Sequence, residues 1–258
     1  MTLSTNMDFM TTSLIERRVQ RVRHELKARP VQVARVERLS ADIARITFTG
    51  EALADFTSLS FDDHVKFILP ATGVDAEPTR RDYTPRRFDR ERRELLIDFV
   101  LHADGPAGAW ALQATPGQSV VIGGPRGSMV IPTDYDWHLL VGDASALPAI
   151  GRRLEELPAS ARVHVIAHAA EPMAWASAAA VEVQWVRRTE ALVSATRALV
   201  LPDGIGFAWA AGEAGVMAQM RQVLLEEKRL PRACVKVAAY WKRGAADFHE
   251  TLAVDAAG

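Results

Sequence analysis

The chain has 258 residues, 48% hydrophobic and 24% charged, with a formal net charge of −1. That length builds one large domain or two of about 120 residues, each able to bury a core. The near-neutral balance argues against a general nucleic-acid binder, so any anion site must come from local clustering. Cys234 is the one cysteine, which excludes an intramolecular disulfide and a cluster held by four thiolates. No apolar run reaches the length of a membrane span. The polar stretch Met1 to Ser13 lacks the basic-then-apolar order of a secretion signal, so a cytoplasmic address is expected. Residues 1–16 are expected to be flexible.

Residues 16 to 29 carry Arg17, Arg18, Arg21, Arg23, Lys27 and Arg29; a nucleic-acid arm is one reading, and the neutral overall charge favours a solvated amphipathic lead-in. Val31–Val36 and Ala44–Thr49 alternate around a polar break at Ser40 to Asp42, which predicts a hairpin. Val65–Leu69, Leu95–Leu101 and Ser119–Ile122 supply further strands. Strands punctuated by turns, without long helices, predict a small antiparallel barrel over residues 17–134.

The rhythm changes at Pro132 to Asp136. Strands at His138–Val141, Val163–Ala167, Val181–Val186 and Phe207–Ala211 alternate with helices. One helix carries Leu147, Ile150, Leu154 and Leu157, one carries Leu192, Val193, Thr196 and Leu199, and one carries Val216, Met217, Met220, Val223 and Leu224. That alternation predicts a parallel sheet wrapped by helices over residues 135–258. Val163 to His168 reads as a strand, so His164 and His168 do not form a helical ligand pair and no metal site is expected.

Several segments carry chemistry. Arg81-Asp82-Tyr83-Thr84-Pro85-Arg86 places a guanidinium and an aromatic ring on one face of an extended chain, with a hydroxyl adjoining. A flavin nucleotide needs a phosphate contact, a wall for its rings and a hydrogen bond to a ring nitrogen; a plain solvated strand edge carries the same residue types. After the strand at Leu95, the run from His102 to Leu112 has small residues with Pro106 near a helix start, which suits free amides facing an anion or an ordinary strand-to-helix turn. Val141 to Pro148 lies where the first strand of a nucleotide-binding unit meets its helix, and either Asp143 or Ser145 can cap that helix. No Gly-x-Gly-x-x-Gly is present. Ala211-Gly212-Glu213-Ala214-Gly215 is a second turn of this kind. Arg187 and Arg188, just past a predicted strand, suit a 2′-phosphate or a plain surface. Val235 to Lys242 reads as a strand with Lys236, Tyr240 and Lys242 on one face and Val235, Val237 and Trp241 on the other, followed by Arg243.

Taken in order, Arg81–Arg86, His102–Trp110, Gly124–Ser128, Leu139–Asp143 with Ala146–Ile150, and Tyr240–Gly244 resemble the siderophore-interacting proteins, as does Asp63-His64-Val65-Lys66. These are flavin-dependent ferric-siderophore reductases of the ferredoxin-reductase superfamily, and the resemblance covers roughly residues 17 to 250. It implies FAD on Arg81, Tyr83, Thr84 and Arg86, with Thr84 near flavin N5. The FAD pyrophosphate would lie against Gly105, Pro106, Ala107, Gly108, Ala109 and Trp110, with His102 also among the cofactor-binding residues. NADPH or NADH is implied at Gly142, Asp143, Ser145, Ala146 and Glu213, and a ferric siderophore at Lys236, Tyr240, Lys242 and Arg243. Hydride would pass to the flavin and single electrons to chelated Fe(III), with no side chain acting as acid or base on the iron complex. A monomer is expected. Two departures stand out: Gly108 where the family has serine, and Ala144-Ser145 where it has Glu-Thr. Two rival readings are a general flavin oxidoreductase with a protein or quinone acceptor, and a siderophore carrier without activity.

Overall fold

A computed structural model describes residues 18–70, 77–101, 105–245 and 250–251. The expected flexible start and His102 lie outside them. Two compact units are present, Arg21–Val130 and the residues from Ile131 onward together with residues 18–20.

The first unit is the antiparallel sheet. Its strands are β1 (Gln20–Arg23), β2 (Ala28–Arg38), β3 (Ile43–Thr49), β4 (Val65–Leu69), β5 (Thr79–Tyr83), β6 (Arg87–Asp89), β7 (Glu94–Val100), β8 (Ser119–Gly123) and β9 (Gly127–Val130), with one helix, α1 (Pro106–Leu112). Seven of them form a sheet in the order β5-β4-β8-β2-β3-β7-β6, while β1 pairs with β9. Strands β5 and β6 are consecutive in the chain yet occupy opposite edges, joined only by Thr84, Pro85 and Arg86. Four residue steps reach at most about 14 Å, whereas the edges of a flat sheet of this width stand about 29 Å apart. The sheet must therefore curl until its edges nearly meet, and the Arg81–Arg86 motif is its seam. Alternate residues point inward, so Val31, Val33, Ile46, Phe48, Phe67, Leu95, Ile97, Phe99, Val120 and Ile122 fill the core.

The solvated lead-in is corrected at its end. Arg29 is only 6% exposed on β2, and its guanidinium donates to the Ala52 carbonyl at 2.7 Å and pairs with Asp55. A cation with two oxygen partners can be buried; the run of positive charge in the sequence hides those partners.

The second unit holds a sheet ordered β12-β11-β10-β13-β14-β15. Its strands are β10 (Trp137–Gly142), β11 (Arg162–His168), β12 (Ala180–Val186), β13 (Gly206–Glu213), β14 (Val235–Trp241) and β15 (Glu250–Thr251). All pairings among β10 to β14 are parallel and only β15 runs antiparallel. The helices are α2 (Leu147–Glu156), α3 (Ala191–Ala198) and α4 (Ala214–Gln222). Leu139, Val141, Ile166, Ala208 and Ala210 pack beneath Leu192, Val216, Met217 and Met220. Strand β10 lies between β11 and β13, so the chain order reverses there. In open parallel sheets ligands collect in the crevice that this reversal leaves at the carboxyl ends of the strands. No helix among the described residues is long and apolar enough to cross a membrane.

Candidate functional site

On β5, Tyr83 pairs with Val65 and Arg81 with Phe67, which places both on the core-side face. Asp82 faces the other way, where Lys66 Nζ donates to it at 2.8 Å. The Tyr83 ring centroid is 4.3 Å from that of Phe99 and 5.8 Å from that of Phe67. Burial pushes the Tyr83 phenol well above its ordinary pKa, and the Arg81 charge opposes that rise. Thr84 and Arg86 are buried in the seam, and the Arg86 backbone N–H donates to the Leu96 carbonyl at 2.9 Å.

The Arg86 guanidinium is drawn to a protein carboxylate. Its Nε lies 3.7 Å from Asp98 Oδ2. Asp98 also receives Arg45 Nε at 2.7 Å and Nη2 at 2.8 Å. Asp98 occupies the face of β7 opposite to Leu95, Ile97 and Phe99, so this ion cluster lies on the outer side of the sheet. Arg81 and Tyr83 thus share a face, as their alternate spacing predicts, and Arg86 lies at the seam beside Asp98.

Helix α1 begins at Pro106 after Gly105, whose extended backbone makes the N-cap. Ala107 and Gly108 are buried, and Trp110 packs 4.9 Å from Phe67 and 5.8 Å from Phe99, centroid to centroid. Tyr83 touches those same two rings. Two motifs more than twenty residues apart therefore converge on Phe67 and Phe99. The donor set fits a flavin nucleotide: a guanidinium for phosphate, aromatic side chains for a wall, a hydroxyl beside them, and a helix start clear of bulky side chains.

Two other motifs are tied to each other. Ser128 Oγ donates to Asp63 Oδ2 at 2.6 Å and is 2.8 Å from His24 Nε2, while Asp63 Oδ2 also accepts from Ser58 Oγ at 2.8 Å and from the Ser60 N–H at 3.1 Å. Asp63–Lys66 and Gly124–Ser128 are thus joined through a buried carboxylate, a link 65 positions long that no local pattern announces.

In the second unit, Gly142 closes β10. A Cβ there would lie 2.4 Å from the Ala146 Cβ, so only glycine lets the following turn pack this closely. Asp143 is 4% exposed. Its Oδ1 accepts from Ser145 N at 3.0 Å and Ser145 Oγ at 2.6 Å, and its Oδ2 from Glu213 N at 3.0 Å and Trp241 Nε1 at 2.9 Å. Gly212, at φ 152°, makes room: a Cβ there would lie 2.5 Å from Asp143 Oδ2. Glu213 caps α4, its Oε2 accepting from Val216 N at 3.0 Å.

The basic C-terminal motif is shorter as a strand than its periodicity suggests. Strand β14 ends at Trp241 after a register shift opposite Gly212/Glu213, so Lys242 lies beyond the strand and does not share its period with Lys236 and Tyr240. Lys236 and Tyr240 do lie opposite the buried Val235 and Val237, and the Tyr240 ring meets Trp209 edge-on at 6.3 Å. Arg243 donates its backbone N–H to Glu213 Oε1 at 3.4 Å, and its guanidinium lies 3.5 Å from Glu190 Oε1. Arg187 and Arg188 are exposed directly after β12.

Comparison with known proteins places this geometry. Residues 135–244 match the family model for siderophore-interacting protein, and residues 32–77 and 71–129 match that for the siderophore-interacting FAD-binding domain. The chain is 38% identical over 246 residues to the NADPH-dependent ferric-chelate reductase of Escherichia coli, covering 86% of this chain and 96% of that protein. It is 31% identical over 260 residues to the ferric vibriobactin reductase of Vibrio cholerae, covering 86% of this chain and 93% of that protein. A siderophore utilization protein from T. fusca superposes with a TM-score of 0.83 at 34% identity, covering 90% of this chain and 99% of that one.

Proposed function

This chain belongs to the siderophore-interacting protein family, and we propose that it is an FAD-containing, NADPH-dependent reductase of ferric siderophores. Bound FAD accepts a hydride from a reduced nicotinamide and gives up electrons singly, which matches a ferric acceptor. Siderophores with hard oxygen donors hold Fe(II) less tightly than Fe(III), so reduction releases the metal. The observation that carries the reading is the convergence of Tyr83 and Trp110 on Phe67 and Phe99, beside Arg81.

In this reading Arg81 makes a charge-assisted contact to the flavin phosphates, and the amides of Gly105 to Trp110 approach the pyrophosphate. Gly108 brings no hydroxyl there, so backbone donors carry that contact. Thr84 hydrogen-bonds the flavin near N5. Arg86 anchors the seam through Asp98 and keeps Thr84 in place. The turn from Gly142 to Ala146 receives the nicotinamide dinucleotide, as the reversal of strand order at β10 favours, and Glu213 flanks it on the next strand. Arg187 and Arg188, at the carboxyl end of β12, meet the 2′-phosphate and favour NADPH over NADH. Lys236, Tyr240, Lys242 and Arg243 attract an anionic, aromatic chelate through charge and ring contacts.

The test is an absorption spectrum of the purified protein. A flavin spectrum that bleaches anaerobically with NADPH and recovers on adding a ferric siderophore is expected. A colourless protein, or a flavin that only dithionite bleaches, overturns the reading.

A further inference from the structure

We infer that Asp143 is a positioning residue that ties the turn after β10 to the Trp241–Arg243 motif, so that the state of that turn is felt at the motif. The inference rests on the reading of the two segments as nucleotide and chelate sites. An ionised carboxylate has about four acceptor positions, and Asp143 uses both oxygens twice: Ser145 N and Oγ on one, Glu213 N and Trp241 Nε1 on the other. At 4% exposure it keeps little capacity for a ligand. What it does instead is join the carboxyl ends of β10, β13 and β14. Trp241 is 38% exposed, yet its indole N–H is anchored, so a side chain at the surface is held in one orientation. Arg243 is bound to the same assembly through Glu213.

Three variants of the full-length, flavin-loaded protein separate the two arms. Asp143→Asn keeps one oxygen, which turns to Glu213 N–H and Trp241 Nε1–H because both are donors only; its amide then faces Ser145, whose hydroxyl can accept but whose N–H loses its acceptor. Trp241→Phe keeps an aromatic ring but removes the indole donor together with the five-membered ring that carries it. Asp143→Ala removes both arms. KM is measured for NADPH and for an anionic ferric tris-catecholate. Alongside, ¹H–¹⁵N spectra follow the Trp241 indole signal, identified by its absence in Trp241→Phe. Asp143→Asn should raise KM for NADPH about three- to tenfold, the worth of one or two hydrogen bonds, and leave the chelate KM near wild type. Trp241→Phe should do the reverse, and Asp143→Ala should raise both. In the wild type the Trp241 signal should move on titration with the oxidised form of whichever nicotinamide nucleotide bleaches the flavin. The assignment is overturned if Asp143→Asn and Trp241→Phe raise the same constant, if Asp143→Ala raises neither, or if the Trp241 signal stays fixed while other signals report saturation. A protein that reduces no ferric chelate but whose Trp241 signal moves keeps this coupling and overturns the reductase reading instead.

Discussion

Arg86 and Asp98 meet at the seam of the barrel, Nε 3.7 Å from Oδ2, with side chains only 6% and 4% exposed. Asp98 also carries the bidentate Arg45, so one buried carboxylate holds two guanidiniums from β3 and from the link between β5 and β6. Removing the carboxylate takes this partner from the buried Arg86, and breaking a buried ion pair on one side costs about 3–5 kcal/mol. Asp98→Asn is therefore expected to lower the melting temperature of the barrel, followed by circular dichroism, and to loosen flavin retention through Thr84. An unchanged melting curve would show that the cluster does not hold the seam.

Much of this architecture is legible in the residues themselves. Alternation marks β2 and β3, short apolar runs mark β4 and β7, and the β/α rhythm after Pro132 marks the parallel sheet, because a core-facing element must repeat with its own period. The barrel is expected from the run of short strands, but the place where it closes is not legible. It depends on β5 and β6 sitting at opposite edges with three residues between them, which only the pairing order reveals. The same holds for the polar links. Asp143 or Ser145 reads locally as a helix cap; Asp143 caps the 3-10 turn Ala144–Ala146 that leads into α2, while its bond to Trp241 spans 98 positions. Asp98 sits in an apolar run and reads as an interruption until its register opposite Arg45 is known. Period two continues through Lys242 in the sequence, which puts it in the strand; the register shift opposite Gly212 is a backbone event that leaves no mark in β14's own sequence.

Arg81 tests the flavin site directly. Its guanidinium shares the core-side face with Tyr83, and a charge-assisted phosphate contact is worth about 1.5–3 kcal/mol. Arg81→Ala should weaken FAD binding by roughly ten- to a hundredfold, seen as loss of yellow colour on gel filtration. Full retention of flavin by this variant would remove Arg81 from the site.

Nucleotide preference tests the end of β12. Replacing both Arg187 and Arg188 with alanine removes the cations assigned to the 2′-phosphate. The ratio of kcat/KM for NADPH over NADH should fall roughly tenfold, while the NADH value changes little. If the ratio is unchanged, the 2′-phosphate is recognised elsewhere.

His138 gives the second unit a pH dependence. It is 1% exposed on β10, and burial, reinforced by the Arg153 charge, depresses its pKa to about 4. The unfolded chain takes up this proton near pH 6.5, well before the folded chain does. Stability from this group is therefore complete above pH 6.5, falls as pH drops towards 4, and then levels off. The whole effect is on the order of 3 kcal/mol. Thermal melting between pH 7 and pH 4 should show the decline, and His138→Gln should flatten it; an equal slope in the variant would assign the decline to other groups.

The substrate face gives the last expectation. Lys236 projects from β14 opposite Val235 and Val237, and Lys242 follows the strand as an exposed cation beside Arg243. Because the strand stops at Trp241, the two lysines are not bound to one face by period; what they share is a charge sign near the anchored Trp241 ring. Exposed charges act mainly through long-range attraction, which salt screens over about 10 Å. Lys236→Ala/Lys242→Ala should raise KM for an anionic ferric siderophore roughly tenfold at low ionic strength, with the difference shrinking as salt is added. Flavin content and bleaching by NADPH should stay at wild-type values, since neither lysine is assigned to those sites. A double variant with unchanged KM at low salt would mean that the chelate docks elsewhere, and the search would then move to other cations of the chain.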